Sequence, residues 1–321
     1  MALRLVMMGT GQFALPTFLG LYDSPHQVVG LFTQPDRTGR GHHHHENPMK
    51  TVALENRTPV FQPEKANAAE SLDDLHRLEP DLCVVAAYGQ ILSADLLGIP
   101  QRGAINLHAS LLPKYRGAAP IQYAILKGET ETGVTIFQIE PRLDSGPILG
   151  VVKTPIRPGE TYGELETRLA DLAVPLTFRV IDEIEAGSVT RQFQDPALVT
   201  KAPRLKKADG AIDWSRSADE IGWHVRGTQP WPTPFTFLLQ NDRQPLRLIV
   251  TDVEPAEFTS DASPGTVLVA DGKRLIVQSG RGSVEVRRLR PEGKREMAAA
   301  EFLHGHAVSA GDRLGMVASA E

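Results

Sequence analysis

"GAINLHASLLPKYRGAAPIQYAILKGETETGVTIFQIE", residues 103–140, sets a helical pattern ("APIQYAILKG") between two short β-type runs ("GAINLHA" and "GVTIFQIE"). Alternate residues of an extended strand share one face, so Asn106 and His108 point to the same side of the first run. An amide and an imidazole at the end of a strand pose a question of chemistry: what lies at the point both face?

The same alternation extends toward the N-terminus. "LRLVMMG", "QVVGLFT" and "DLCVVAAYG" read as strands; "FALPTFLGLYDS" and "AESLDDLHRLEP" read as helices, the second stopped by Pro80. Near-continuous Val/Ile/Leu strands alternating with helices predict a parallel sheet covered on both faces, an α/β domain. Ligands of such sheets gather at the carboxyl ends of the strands, where Asn106 and His108 lie. A long helix over "TYGELETRLADLAVPLTFRVIDEIEAG" closes this half. The polar stretch over residues 189–208 then reads as a linker. Beyond it a short helix, "SADEIGWHVRG", leads to "FTFLL", "LRLIVTDVE", "GTVLVAD", "RLIVQSG" and "SVEVRRLR", separated by turn signals. Short strands with regular turns predict a small β-barrel. The expected organisation is a domain over 1–188, a linker over 189–208 and a β-barrel domain over 209–321, in keeping with a chain of 321 residues.

Composition is that of a globular protein, with 41% hydrophobic and 23% charged residues. No apolar run approaches the ~20 residues needed to span a bilayer, and the N-terminus lacks a signal-peptide pattern. The lone cysteine, Cys83, sits in an apolar run, where a buried small hydrophobe is expected. These features point to the cytoplasm. The net charge of −5 is uneven: residues 201–321 hold 17 Lys+Arg against 16 Asp+Glu, and the remainder holds 17 against 23. An acidic whole does not suit a nonspecific nucleic-acid coat, but basic segments such as "KAPRLKK" and "VEVRRLR" can hold a polyanion.

Three constellations stand out. "GTGQFA", residues 9–14, fits a dinucleotide fingerprint, but the expected acid about 20 residues on is missing, since Asp36 falls in a loop 27 residues after Gly9. A tight strand-to-helix turn explains these glycines better. "QPDRTGRGHHHHENP", residues 34–48, offers Arg37 and Arg40 to phosphates. Its run His42–His45 is not expected to hold a metal, because consecutive side chains cannot all turn to one ion without strain. The third is the pair Asn106/His108 joined by Asp144, in the turn "PRLDSGPIL" after the next strand. Asp orients and charges an imidazole, and Asn offers a neutral donor to a developing oxyanion, a combination suited to acyl transfer. There is no G-x-S-x-G elbow and no reactive cysteine. An acyl group is therefore expected to pass directly from donor to acceptor.

"NLHASLLPKYRGAAPIQYAILKGETETGVTIFQIEPRLDSGPIL" resembles the core of the 10-formyltetrahydrofolate-dependent formyltransferases. "FTQPDRTGRG", "VVAAYGQILSADLL", "IDWSRSADEIGWHVRGTQPWPTPF" and "PGTVL…RLRPEGKREMAAAEFLHG" resemble, in order, the tRNA-facing loop, a folate-site segment and the C-terminal domain of the members that act on tRNA. The resemblance implies a Rossmann-like parallel-sheet formyltransferase domain and a small C-terminal OB-like β-barrel that binds tRNA. It implies 10-formyltetrahydrofolate as co-substrate without a metal, methionyl-initiator tRNA as acceptor, and a part in translation initiation with no obligate protein partner. Residue by residue, it assigns the formyl oxygen to Asn106, the tetrahedral centre to His108, and the orientation of His108 with proton movement to Asp144. Ser110, Leu111, Leu112 and Pro113 are assigned to the folate site. Arg37, Arg40, Lys206 and Lys207 are the residues expected on tRNA. Two departures from the family pattern are the histidine run, where Lys and apolar residues are usual, and Arg142, where "RLDSG" stands for Gly-Leu-Asp-Thr-Gly.

Other readings are a formyltransferase for a small amine such as glycinamide ribonucleotide or an amino-sugar nucleotide, a nicotinamide oxidoreductase, and an RNA-binding module without catalysis. The basic β domain after residue 208 distinguishes the tRNA enzyme from the first, the missing strand-end acid counts against the second, and the Asn/His/Asp set against the third.

Overall fold

The computed structural model describes residues 2–36, 47–241, 243–258 and 260–317. The chain forms two compact units. The first comprises residues 1–120, 131–155 and 164–203, and the second residues 121–130, 156–163 and 204–321.

The elements in chain order are β1 (Arg4–Gly9), α1 (Leu15–Tyr22), β2 (Gln27–Phe32), α2 (Pro48–Glu55), β3 (Val60–Phe61), α3 (Ala69–Arg77), β4 (Leu82–Ala86), α4 (Ala94–Leu97), β5 (Ala104–His108), β6 (Arg116–Gly117), α5 (Pro120–Leu126), β7 (Glu131–Gln138), β8 (Ile148–Pro155), α6 (Tyr162–Glu185) and β9 (Lys201–Ala202). The main sheet of the first unit runs β3-β2-β1-β4-β5-β7-β8. Its first five strands are parallel. Strands β1 and β4 are buried almost throughout, as expected of a sheet covered on both faces. Val6, Met8, Cys83 and Val85 pack with Phe32, Leu75 and Tyr88 on one side. Cys83 is fully buried there, and burial pushes its thiol up to about 12. Gly9 answers a packing need: a Cβ there would stand 2.9 Å from the carbonyl oxygen of Ala86 on the neighbouring strand. This agrees with "GTGQFA" as a turn.

The parallel expectation fails beyond β5. Strand β7 pairs with β5 antiparallel, His108 opposite Thr135 and Ile105 opposite Gln138, and β8 pairs with β7 antiparallel. The physical reason is α5. It has seven residues, about 10 Å of helix, too short to carry the chain back along the eight residues of β7. Strand β7 therefore enters beside the end of β5. The segment read as linker is likewise structured in part. Gln192 exchanges two backbone hydrogen bonds with Ile148, at 2.8 and 2.9 Å, and β9 pairs with β6.

In the second unit the elements are α7 (Ala218–Gly227), β10 (Phe235–Leu239), β11 (Leu246–Ala256), β12 (Val267–Ala270), β13 (Leu275–Gln278), β14 (Ser283–Pro291), β15 (Met297–Ala298), α8 (Ala299–Gly305) and β16 (Arg313–Gly315). The strands run β12-β13-β14-β11-β10-β16, antiparallel throughout. Val267 N–H donates to Asp312 O, Gly311 N–H to Val267 O and Leu314 N–H to Gly265 O, which brings the last strand onto the first in a nearly closed barrel. Ser217 and Glu220 cap α7 reciprocally, and its apolar residues Ile221 and Val225 join Trp214, Val250, Val286 and Phe302 in the core. Among the described residues no helix is long and apolar enough to cross a membrane.

Candidate active site

Strand β5 ends on Asn106 and His108, and both belong to the first unit. His108 is buried, Asn106 partly so. Nε2 of His108 lies 2.9 Å from the carbonyl oxygen of Tyr115. A carbonyl only accepts, so Nε2 carries the proton and Nδ1 is left with the lone pair in the neutral ring. Nδ1 stands 3.8 Å from Oδ2 of Asp144. Burial pushes the His108 pKa below its ordinary value; the Asp144 charge and the Tyr115 carbonyl oppose this, and the Arg116 charge adds to it. The imidazole is thus held neutral near pH 7, with an anion beside the nitrogen that can take a proton. The amide of Asn106 has no hydrogen-bond partner among the described residues. An uncommitted amide on the face shared with His108 is a donor in waiting.

Asp144 does not stand at a strand end beside His108, as the sequence suggested. Because β7 is antiparallel, its carboxyl end lies beside the start of β5, and the loop after it folds back toward His108. Asp144 there takes a left-handed backbone, φ 47°, which costs a side-chain-bearing residue on the order of 1 kcal/mol. Two contacts hold it. Gly117 N–H donates to Oδ2 at 2.7 Å, and the Gln194 amide donates to the Asp144 carbonyl at 2.9 Å. Arg142 is not in a left-handed conformation, so the turn accepts it where glycine is usual; Ser145 Oγ donates to its carbonyl.

The loop 109–117 is fixed from both sides. Thr135 Oγ1 donates to Ser110 O at 2.7 Å and accepts from Leu112 N–H at 3.1 Å. Ser110 Oγ donates to Lys114 O, and its residue is fully buried, so its hydroxyl shapes the loop and is not a nucleophile. Leu112 is buried against Phe137 and Ile148, whereas Leu111 and Pro113 are partly exposed. Tyr115 N–H donates to Thr200 Oγ1 at 2.8 Å and Arg116 N–H to Thr200 O at 2.9 Å. At Gly117, φ 127°, a Cβ would come within 2.5 Å of Ala202 O, so only glycine lets β6 and β9 close. Sequence reasoning missed Tyr115, Gly117, Thr135, Gln194 and Thr200, whose partners are far away along the chain.

Lys206 and Lys207 are exposed in the second unit, at the start of a 3-10 turn, and neither forms an ion pair among the described residues. In β14, Arg287 pairs with Glu254 and Arg288 with Glu296, both at 2.5 Å and exposed. Arg37, Arg40 and His42–His45 lie outside the described residues.

Among the described residues one group has metal-like spacing: His26, Asp182 and Glu185. Leu3 N–H donates to His26 Nδ1 at 3.2 Å, so the ring proton sits on Nε2, the atom 3.9 Å from Asp182. A protonated nitrogen has no lone pair to give a metal ion, and at 3.9 Å from Asp182 this one makes no hydrogen bond either.

A neutral base beside a carboxylate, with a free amide next to it, is equipped to move a proton while charge builds on a carbonyl oxygen. Residues 3–181 match the family described as formyl transferase, and residues 204–307 its C-terminal domain. The chain belongs to the formyl transferase family of enzymes. Similar curated proteins are the methionyl-tRNA formyltransferases of Geobacter sulfurreducens, 41% identical over 99% of both chains, and of Methylococcus capsulatus, 42% identical over 98% of this chain and 100% of that one. Among solved structures, the sugar 3N-formyl transferase WlaRD is 16% identical, with a TM-score of 0.64 over 92% of this chain and all of the other. HypX from Aquifex aeolicus, solved with tetrahydrofolic acid, is 14% identical, with a TM-score of 0.61 over 94% of this chain and 47% of that longer protein. These two similarities concern the fold alone.

Proposed function

We propose that this enzyme transfers the formyl group of 10-formyltetrahydrofolate directly to the α-amino group of methionyl-initiator tRNA, for translation initiation. The observation that carries the chemistry is His108 Nδ1, 3.8 Å from Asp144, with the other ring nitrogen on the Tyr115 carbonyl and a free Asn106 amide on the same strand face. The acceptor rests on the relatives, over 40% identical along the whole chain. A second domain alone would not decide it, because a sugar N-formyl transferase aligns over 92% of this chain.

As the amine nitrogen bonds to the formyl carbon, electrons move onto the formyl oxygen, and the Asn106 amide donates to it. His108 Nδ1 takes the proton lost by the amine, and Asp144 stabilises the imidazolium formed. When the bond between the formyl carbon and N10 breaks, the imidazolium returns that proton to N10. The formyl group never leaves for an enzyme atom. Ser110, Leu111, Leu112 and Pro113 would then meet the folate through the loop they form, its main chain and the partly exposed Leu111 and Pro113. Domain 209–321, with Lys206 and Lys207 just before it, and Arg37 and Arg40 would hold the tRNA.

The test is a panel of acceptors with 10-formyltetrahydrofolate: charged initiator tRNA, free methionine, glycinamide ribonucleotide and an amino-sugar nucleotide. Formyl-methionine on the tRNA, with the small amines at background, is expected. Preferred formylation of a small amine would overturn the assignment.

A further inference from the structure

Gln194 lies in a polar segment after α6 and belongs to no strand or helix, yet it closes a short circuit through the active site. Its Nε2 donates to the carbonyls of Asp144, at 2.9 Å, and of Gly146, at 2.8 Å. Its Oε1 accepts from Nε and Nη2 of Arg116, at 3.1 and 2.7 Å. A guanidinium has only donors and a carbonyl only accepts, so the two neighbours fix which end of the amide points where. The next residue after Arg116 completes the circuit: Gly117 N–H donates to the Asp144 carboxylate at 2.7 Å. Asp144 is therefore gripped at its carbonyl by Gln194 and at its side chain by Gly117, in a left-handed backbone that it would not hold unaided.

We propose that Gln194, oriented by Arg116, is the positioning residue that holds Asp144 against His108. It touches neither a reacting atom nor His108. It acts by keeping the 144–146 turn in place, and misplacement of a catalytic group by about 1 Å can cost on the order of 100-fold in rate. This inference rests on the formyl-transfer reading for its kinetic consequence, but not for its geometric one.

Two measurements test it. Gln194→Glu keeps an acceptor for Arg116 and removes the donors to the two carbonyls. Measured per folded active site, its kcat should fall about 10–100-fold, with the KM for folate within about twofold. In an Asp144→Asn background the same change should cost nothing further. Multiplicative losses in the double variant, or an unchanged kcat, overturn the proposal. The second measurement needs no activity: NMR titration of the His108 ring in the substrate-free protein. The charged groups identified around that ring are Asp144 and Arg116, with the Tyr115 carbonyl on its other side. Gln194→Leu should lower the His108 midpoint in the parent, as the Asp144 anion drifts away, and leave it unmoved in the Asp144→Asn background. Equal shifts in both backgrounds, or none in either, overturn the proposal even if no formyl acceptor is found. If the titration behaves as expected while no acceptor is formylated, the positioning role stands and the functional reading falls.

Discussion

His108 and Asp144 face each other across 3.8 Å, with the opposite ring nitrogen of His108 spent on the Tyr115 carbonyl. The distance is too long for a direct hydrogen bond and short enough for strong charge coupling. The imidazole is thus biased toward proton acceptance at one nitrogen only.

The coupling has a pH signature. Burial holds the His108 pKa down, and Asp144 partly restores it. Asp144→Asn removes the restoring charge, so the midpoint must fall further. The acid limb of the kcat profile should move to lower pH while the plateau falls by ~10²–10⁴. A limb that moves to higher pH, or stays, would contradict the assignment of that limb to His108.

Asn106→Ala deletes the donor assigned to the oxyanion. Turnover should fall by ~10²–10³, with folate affinity nearly unchanged. Steady-state kinetics would show it. A rise in KM with kcat intact would make Asn106 a binding group instead.

Thr135 is buried with its hydroxyl bonded to Ser110 O and Leu112 N. Thr135→Val leaves both backbone groups without that partner, and stability should fall by about 1–3 kcal/mol. Urea denaturation would report it as a lower midpoint at similar slope.

Lys206→Ala with Lys207→Ala should weaken tRNA binding and flatten its dependence on salt by up to about two phosphate contacts, leaving folate affinity alone. Titration at several salt concentrations checks this. An unchanged slope would place both lysines away from the tRNA. Arginines 287 and 288, already paired with acids, can change partners at little cost, since exposed ion pairs contribute about 1 kcal/mol or less.

Much of this architecture is legible in the chain. The strands β1, β2, β4, β5 and β7 and the helices α1, α3, α5, α6 and α7 follow from apolar periodicity, and the i, i+2 spacing of Asn106 and His108 needs only a strand. What is not legible depends on contacts between distant residues. Nothing local in "GVTIFQIE" tells that it runs antiparallel to β5; that follows from the shortness of α5. Strand β8 hides because its outer half alternates exposed and partly buried residues after a turn rich in Gly and Pro. Gln194 meets Asp144 from 50 positions away and Arg116 from 78, in a segment without period. Polar residues that act through tertiary geometry carry no pattern of their own.

On the proposed mechanism one crevice, with His108 as its proton carrier, performs the transfer. Single-turnover formylation of methionyl-initiator tRNA by enzyme saturated with 10-formyltetrahydrofolate tests it most directly, comparing the parent with His108→Ala. The predicted result is a single-turnover rate constant ~10²–10⁴ lower in the variant, with both substrates still bound. A variant that transfers the formyl group at close to the parent rate would remove His108 from the chemistry.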